Sequence, residues 1–355
     1  MTQNVLITGG AGFVGSSLAL GFAQRYPNWQ ITALDNLKRR GSELNLPRLK
    51  AAGIEFVHGD IRNPEDLDPQ RLHPDLILEC SAEPSVLAGY GSPGYLLQTN
   101  LVGTVNCLEL ARQTQADFVF LSTSRVYPIS YLSQLNYDET ETGFALQEEQ
   151  PFAGVSPYGI AEDFPLDRAR SLYGTTKLAS ELLIAEYADA YNLRTLVNRC
   201  GVLTGPWQMG KVDQGVFALW VARHYFQKPL KYIGYGGTGK QVRDFLHVED
   251  LLDLLDLQLQ NFDRLQGETF NVGGGFENQV SLLETTQICQ EITGRAIEIT
   301  PVPETRPGDI PIFITDSRKV MSQVDWTPKR GIQRTLQDIY DWIVREETQV
   351  KGIFL

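Results

Sequence analysis

What this sequence has little of narrows its function before any motif is read. Only four of its 355 residues are cysteines. Cys80, Cys107, Cys200 and Cys289 lie far apart with no Cys-x-x-Cys pair, so neither a disulfide framework nor a cysteine zinc site is expected. Histidine is equally scarce, at four. No group of His, Cys and Asp has ligand spacing, so no metal is expected. No apolar run reaches the roughly 18 residues of a membrane-spanning helix. The opening MTQNVLITGG lacks the basic and apolar regions of a secretory signal. The expectation is a cytoplasmic protein with no membrane partner. Positive charge is short too, with 31 Lys and Arg against 43 Asp and Glu and a net charge of −12. The basic footprint that nucleic acid requires is therefore missing, although a local Arg cluster could still hold a small anion.

What is present is a regular alternation of short apolar runs with helical stretches. VLIT from Val5, ITALD (31–35), IEFVHG (54–59), DLILEC (75–80) and FVFLST (118–123) read as strands, and residues 13–24 as a helix. Near-continuous apolar strands suit a parallel sheet buried on both faces. Alternation of this kind predicts an α/β fold with a doubly wound parallel sheet, the Rossmann arrangement, and a smaller C-terminal α/β substrate lobe. Beyond about residue 200 the pattern loosens into Gly- and Pro-rich stretches such as LTGPWQMG and IGYGGTGK. The expected division is residues 1–200, with 242–272 returning to them through ETFNVGG. The smaller lobe takes 201–241 and 273–355, with the ligand in a cleft between lobes.

TGGAGFVG carries Gly9, Gly12 and Gly15 directly after a strand and opening a helix. In this setting the first glycine makes the tight turn and the second admits a pyrophosphate to the helix N-terminus. The third allows close packing of the helix. Asp35 ends the second strand, about 20 positions on, where an acid accepts hydrogen bonds from an adenosine ribose and repels a 2′-phosphate. NAD is thus expected over NADP, with Lys38, Arg39 and Arg40 close by to weaken the preference. Asp60, in His58-Gly59-Asp60, reads equally as a contact to adenine or as a helix N-cap.

Tyr173-Gly174-Thr175-Thr176-Lys177 opens a helix expected to run to about Tyr191. A spacing of four puts Tyr173 and Lys177 on one face. Tyrosine is a poor base at a pKa near 10, and an adjacent ammonium makes its phenolate accessible. Thr123, ending the fifth strand, offers a hydroxyl to orient a substrate carbinol. Such a Tyr–Lys spacing is common by chance; the glycine turn, Asp35 and Thr123 give it weight as catalytic machinery.

In chain order TGGAGFVG, Asn100-Leu-Val-Gly-Thr-Val-Asn106, LSTSRVY (121–127), YGTTK, RDFLHVED (243–250), RPGD (306–309) and Trp326-x-Pro328 resemble the extended short-chain dehydrogenase/reductase family over nearly the full length. The phrases DNLKRRGSELNL, FVHGDIRN, YDETET, EDFPLDRARSLYG, RCGVLTGPWQ, VDQG and GKQVRDFLH resemble those of its sugar-nucleotide epimerases that invert C2 of a CDP-linked 3,6-dideoxyhexose. The resemblance implies Thr123, Tyr173 and Lys177 as catalytic residues. It implies NAD along Gly9, Gly12, Phe13, Val14, Gly15, Asp35, Asp60, Ile61 and Asn100, with Lys177 also on the nicotinamide ribose. Arg243, Arg306 and Asp309 would hold the nucleotide sugar, Arg243 at its pyrophosphate. It further implies a homodimer or homotetramer through the helices beginning near Asn100 and Tyr173, with Leu182, Leu183 and Tyr187 as contacts or as core.

Two departures bear on the sugar. Glu79-Cys80-Ser81-Ala82 stands where many relatives carry His-x-Ala-Ala, and Leu87-Ala88-Gly89 lacks small hydroxyls. Among rivals, a 4,6-dehydratase is disfavoured, since such relatives carry Asp-Glu after the catalytic Thr and this chain has Ser124-Arg125. A C4 epimerase or a reductase stays open. A dinucleotide sensor without turnover could dispense with Tyr173 and Lys177, and both are retained. The long stretch between Tyr127 and Tyr173, far above the usual connection of about 4–6 residues, reads as a lid.

Overall fold

The computed structural model describes residues 3–211 and 214–355, so Val212 and Asp213 of the VDQG phrase lie outside the described residues. The chain divides into two compact units. One comprises Met1–Val126, Leu172–Arg199 and Leu251–Phe270; the other comprises Tyr127–Ser171, Cys200–Asp250 and Asn271–Leu355.

The first unit is built on seven parallel strands. They are β1 (Asn4–Thr8), β2 (Gln30–Asp35), β3 (Glu55–His58), β4 (Leu76–Glu79), β5 (Asp117–Thr123), β6 (Thr195–Cys200) and β7 (Thr269–Val272). Their order across the sheet is β7-β6-β5-β4-β1-β2-β3, as a doubly wound sheet requires. The expected return of ETFNVGG to the sheet is met by β7. Helix α1 (Phe13–Arg25) follows β1, α2 (Gly103–Thr114) precedes β5, and α3 (Leu172–Tyr191) precedes β6. One sheet face, carrying Leu6, Ile77, Phe118, Phe120 and Val197, forms a common core with Cys107, Leu108 and Ala111 of α2 and Ile184 of α3. Side chains alternate along a strand, so Thr8, Glu79, Ser122 and Arg199 continue that same face toward the strand ends. The register sets Thr8, Glu79 and Phe120 abreast. A carboxylate thus stands where the pattern calls for a hydrocarbon.

The second unit has a four-stranded sheet of Val202–Thr204, Val242–His247, Gln279–Ser281 and Ile312–Phe313. Residues 242–250 belong here and not with the large sheet, because Val242–His247 pairs with those three strands. Tyr127–Ser171 also lies in this unit, which departs from the expected division. It is not one long structureless loop. It forms two hairpins, Tyr137–Glu139 with Phe144–Leu146 and Val155–Ser156 with Gly159–Ile160. Tyr131, Phe152 and Phe164 cluster, the Tyr127 hydroxyl donates to Asn271 Oδ1 at 2.7 Å, and the Ile160 amide donates to the Ile314 carbonyl at 2.8 Å. Among the described residues no helix is long and apolar enough to cross a membrane.

Candidate active site

At the dinucleotide end, Gly9 takes a left-handed φ of 61°, the turn that leads the chain from β1 into α1. A Cβ on Gly15 would sit 2.2 Å from the Gly9 carbonyl oxygen, so the first turn of the helix packs on the glycine turn itself. Gly12 caps α1 without a side chain, and the first turn holds no acid. The amides of Phe13, Val14 and Gly15 are the donors a helix leaves without intrahelical partners, and a diphosphate fits them by charge and by hydrogen bonding. Asp35 accepts from the Leu37 amide at 2.8 Å and the Ala11 amide at 3.1 Å. Burial raises its pKa above the ordinary value, and those amides pull it back. A carboxylate so fixed fits an adenosine ribose.

Asp60 is not a helix N-cap. It closes a turn on the Arg62 amide at 3.0 Å and accepts from the Asn36 side chain at 2.9 Å. Hydrogen bonding to Arg62 holds its pKa well below the carboxylate range. The Ile61 side chain is core, and its carbonyl accepts from Asn106 at 2.8 Å. Asn100 lies in a π-helical turn, Gln98–Val102, directly before α2. Its amide bonds both backbone groups of Glu83, at 2.7 and 3.1 Å, and Thr176 Oγ1 at 3.4 Å. It ties the loop after β4 to α3, a role its sequence position did not disclose.

On α3 the residues Tyr173, Lys177 and Glu181 recur every four positions and are all buried. Thr123 ends β5, and its Oγ1 accepts from the Arg125 amide at 3.2 Å. Glu181 binds Arg199 at the end of β6 through Nη2 at 2.8 Å and Nε at 3.0 Å, and also accepts from Ser122, the neighbour of Thr123. Breaking such a buried pair costs about 3–5 kcal/mol. The pair locks the helix that carries Tyr173 to β6, and the Ser122 hydrogen bond locks it to the strand that carries Thr123. Lys177 is 2% exposed; its Nζ lies 3.9 Å from Glu79 Oε2 and 3.7 Å from the centre of the Phe120 ring. Glu79, Glu181 and Arg199 were missed as site residues. The i+8 position of Glu181 after Tyr173, and a charge ending the apolar strand LILE, were the signals available.

In the second unit Arg243 is held by Asp309 at 2.9 Å and by the carbonyls of Val242 at 2.7 Å and Ile310 at 2.6 Å. Asp309 is thereby the residue that orients Arg243. Arg306 opens the same RPGD turn, its carbonyl accepting from the Asp309 amide at 3.2 Å.

A doubly wound parallel sheet, a glycine turn into an uncapped helix, an acid on the next strand and a buried Tyr–Lys face define a dinucleotide-dependent oxidoreductase-type enzyme. The chain belongs to the NAD dependent epimerase/dehydratase family, whose profile matches residues 5–273. NAD is its cofactor. It is 34% identical to a CDP-paratose 2-epimerase of Salmonella typhi, over 96% of this chain and 99% of that protein. It is 29% identical to a dTDP-glucose 4,6-dehydratase of Xanthomonas campestris pv. campestris, over 98% and 95%. The crystal structure of Thermus thermophilus UDP-glucose 4-epimerase complexed with NAD is similar with a TM-score of 0.78 and 28% identity, covering 97% of this chain and 99% of that one.

Proposed function

We propose that this enzyme inverts C2 of a CDP-linked 3,6-dideoxyhexose, with CDP-paratose as the substrate, by transient oxidation to a keto-sugar. The observation that carries the reading is the buried Tyr173–Lys177 face locked beside Thr123, followed by Ser124-Arg125 and not by an acid pair suited to eliminating water. The end-to-end likeness to a CDP-paratose 2-epimerase supports the choice of sugar.

NAD, which the Gly9–Gly15 turn and Asp35 would hold, would supply a reversible hydride acceptor for the carbinol carbon. Tyr173 removes the hydroxyl proton and gives it back, while the Lys177 ammonium stabilises the phenolate. Thr123 orients the carbinol by hydrogen bonding. Inversion at C2 of a 3-deoxy sugar requires oxidation at C2 itself, because a C4 ketone acidifies only C3 and C5. Arg243 and Arg306 hold the diphosphate. Two η-nitrogens of Arg243 are already occupied by Asp309 and backbone carbonyls, so the ligand takes its Nε–H or displaces Asp309. A homodimer or dimer-based tetramer is supported by exposed Val102 and Leu182 on neighbouring helical elements, Leu182 being 64% exposed. Leu183 and Tyr187 pack on the core instead.

CDP-paratose deuterated at C2 tests the mechanism. Direct oxidation gives a primary isotope effect and keeps the label in the product. Loss of deuterium to water would overturn the hydride route. Absence of any reaction would remove the sugar assignment while leaving the Tyr–Lys oxidation standing.

A further inference from the structure

Glu79 occupies a core-facing position against the packing preference of its surroundings. It is fully buried, and neither carboxylate oxygen has a hydrogen-bond partner among the described residues. Burial of an unpaired carboxylate is strongly unfavourable. The titratable groups that face it are Lys177 of α3 and Cys107 of α2, the thiol being kept neutral by burial. From the flanking strands it meets Thr8 of β1 and Phe120 of β5. Lys177 Nζ lies within 4 Å of both the carboxylate and the Phe120 ring.

We propose that Glu79 is a positioning residue of the catalytic couple: it anchors the Lys177 ammonium against the sheet and, by taking or releasing a proton, sets how much positive charge reaches the Tyr173 hydroxyl. The inference rests on the Tyr173–Lys177 reading given above. Burial pushes the Glu79 carboxyl up to about 7, so both of its forms occur near neutral pH. The ionised form offsets the ammonium and makes the phenol less acidic. The protonated form leaves the ammonium uncompensated and makes the phenol more acidic.

Ultraviolet difference titration of the Tyr173 phenolate, each protein read against its own Tyr173→Phe counterpart, tests this without reference to turnover. Wild type should show a Tyr173 ionisation below the ordinary tyrosine range. Glu79→Gln should move it lower by roughly half to one pH unit. In a Lys177→Met background the Gln substitution should shift it less, since only the direct repulsion between carboxylate and phenolate remains. Superimposable wild-type and Gln curves overturn the proposal, and so does an equal shift in the Met background. If Gln prevents folding, Glu79→Asp carries the same comparison: withdrawing the charge by one methylene shifts the ionisation the same way, and an unmoved ionisation overturns the idea. Absence of any low Tyr173 ionisation in wild type would instead refute the couple itself, and the inference with it.

Discussion

Each unit holds a buried carboxyl whose pKa burial raises, Glu79 in the first and Asp244 in the second, and the two are housed in opposite ways. Asp244 of the second unit is wrapped in donors: Thr315 Oγ1 and the Gly275 amide each reach it at 3.1 Å. The backbone closes in so far that a Cβ on Gly273 would stand 2.4 Å from Asp244 Oδ2. Glu79 of the first unit has no donor within hydrogen-bonding geometry and one cation at 3.9 Å. Burial raises both, Asp244 to about 6 and Glu79 to about 7, with hydrogen bonds restraining the former and chiefly the Lys177 charge, helped by the Ser81 amide and the Thr8 hydroxyl, the latter. A carboxyl that serves architecture is satisfied locally. Glu79 instead stands beside a charge, at the end of the sheet where α3 packs.

The proposed chemistry lies at the Glu79 end, and Tyr173→Phe tests it most severely. The ring still fills its space and only the proton-transferring hydroxyl is lost. Turnover should fall by about 10²–10⁴-fold or more, with thermal unfolding and NAD affinity nearly unchanged. Lys177→Met should damage both rate and NAD affinity, because the ammonium serves the phenolate and the ribose together. Unchanged turnover in the Phe variant would remove Tyr173 as the acid–base.

A second test sharpens the contrast through pH. A carboxyl whose folded pKa is raised binds more protons in the native state, so stability is lost as pH rises from the unfolded value to the folded one. For Glu79 that window runs from 4.5 to about 7, and the loss across it is about 3 kcal/mol. Glu79→Gln should therefore flatten the decline of the urea midpoint between pH 5 and 8, whatever its absolute stability. Asp244→Asn should act otherwise. It turns an amide NH₂ toward donors and costs about 1–3 kcal/mol at every pH above its own window, which ends near 6. Equal pH slopes in wild type and Glu79→Gln would erase the distinction between the two carboxyls.

The seven-stranded sheet was legible because its strands are short apolar runs punctuated by glycine and acid, and five of them match β1 to β5 within a few residues. The helix opening at Tyr173 was legible for the same local reasons. The partners of the Tyr173–Lys177 face were not. Glu181 with Arg199 and Glu79 with Lys177 join residues far apart in sequence, and no periodicity encodes which charge meets which. The same holds for Val242–His247, whose apolar pattern suits either sheet; its neighbours are fixed by long-range pairing. The stretch between Tyr127 and Tyr173 was read as a lid from its length and turn residues; its contacts within the second unit, Ile160 with Ile314 and Thr142 with Glu284, are long-range and had no local signal.

The smallest expected effect concerns Asp35, which is a local staple and, on the proposed reading, a specificity device. Its oxygens hold the Ala11 and Leu37 amides at 3.1 and 2.8 Å, so part of its value is the shape of the glycine turn. Its charge would also repel a 2′-phosphate. The cations that follow are partly engaged elsewhere, Lys38 lying 3.5 Å from the centre of the Tyr95 ring. Titration of wild type should show NADH bound much more tightly than NADPH, and equal affinities would overturn the role given to the carboxylate. Asp35→Ala removes the repulsion and the ribose acceptor together, so NADH should weaken while NADPH does not. The preference should shrink by about tenfold, the equivalent of one modest charge interaction of about 1.4 kcal/mol. If both cofactors weaken by the same factor, Asp35 acts only through the turn, and the discrimination must reside in another residue.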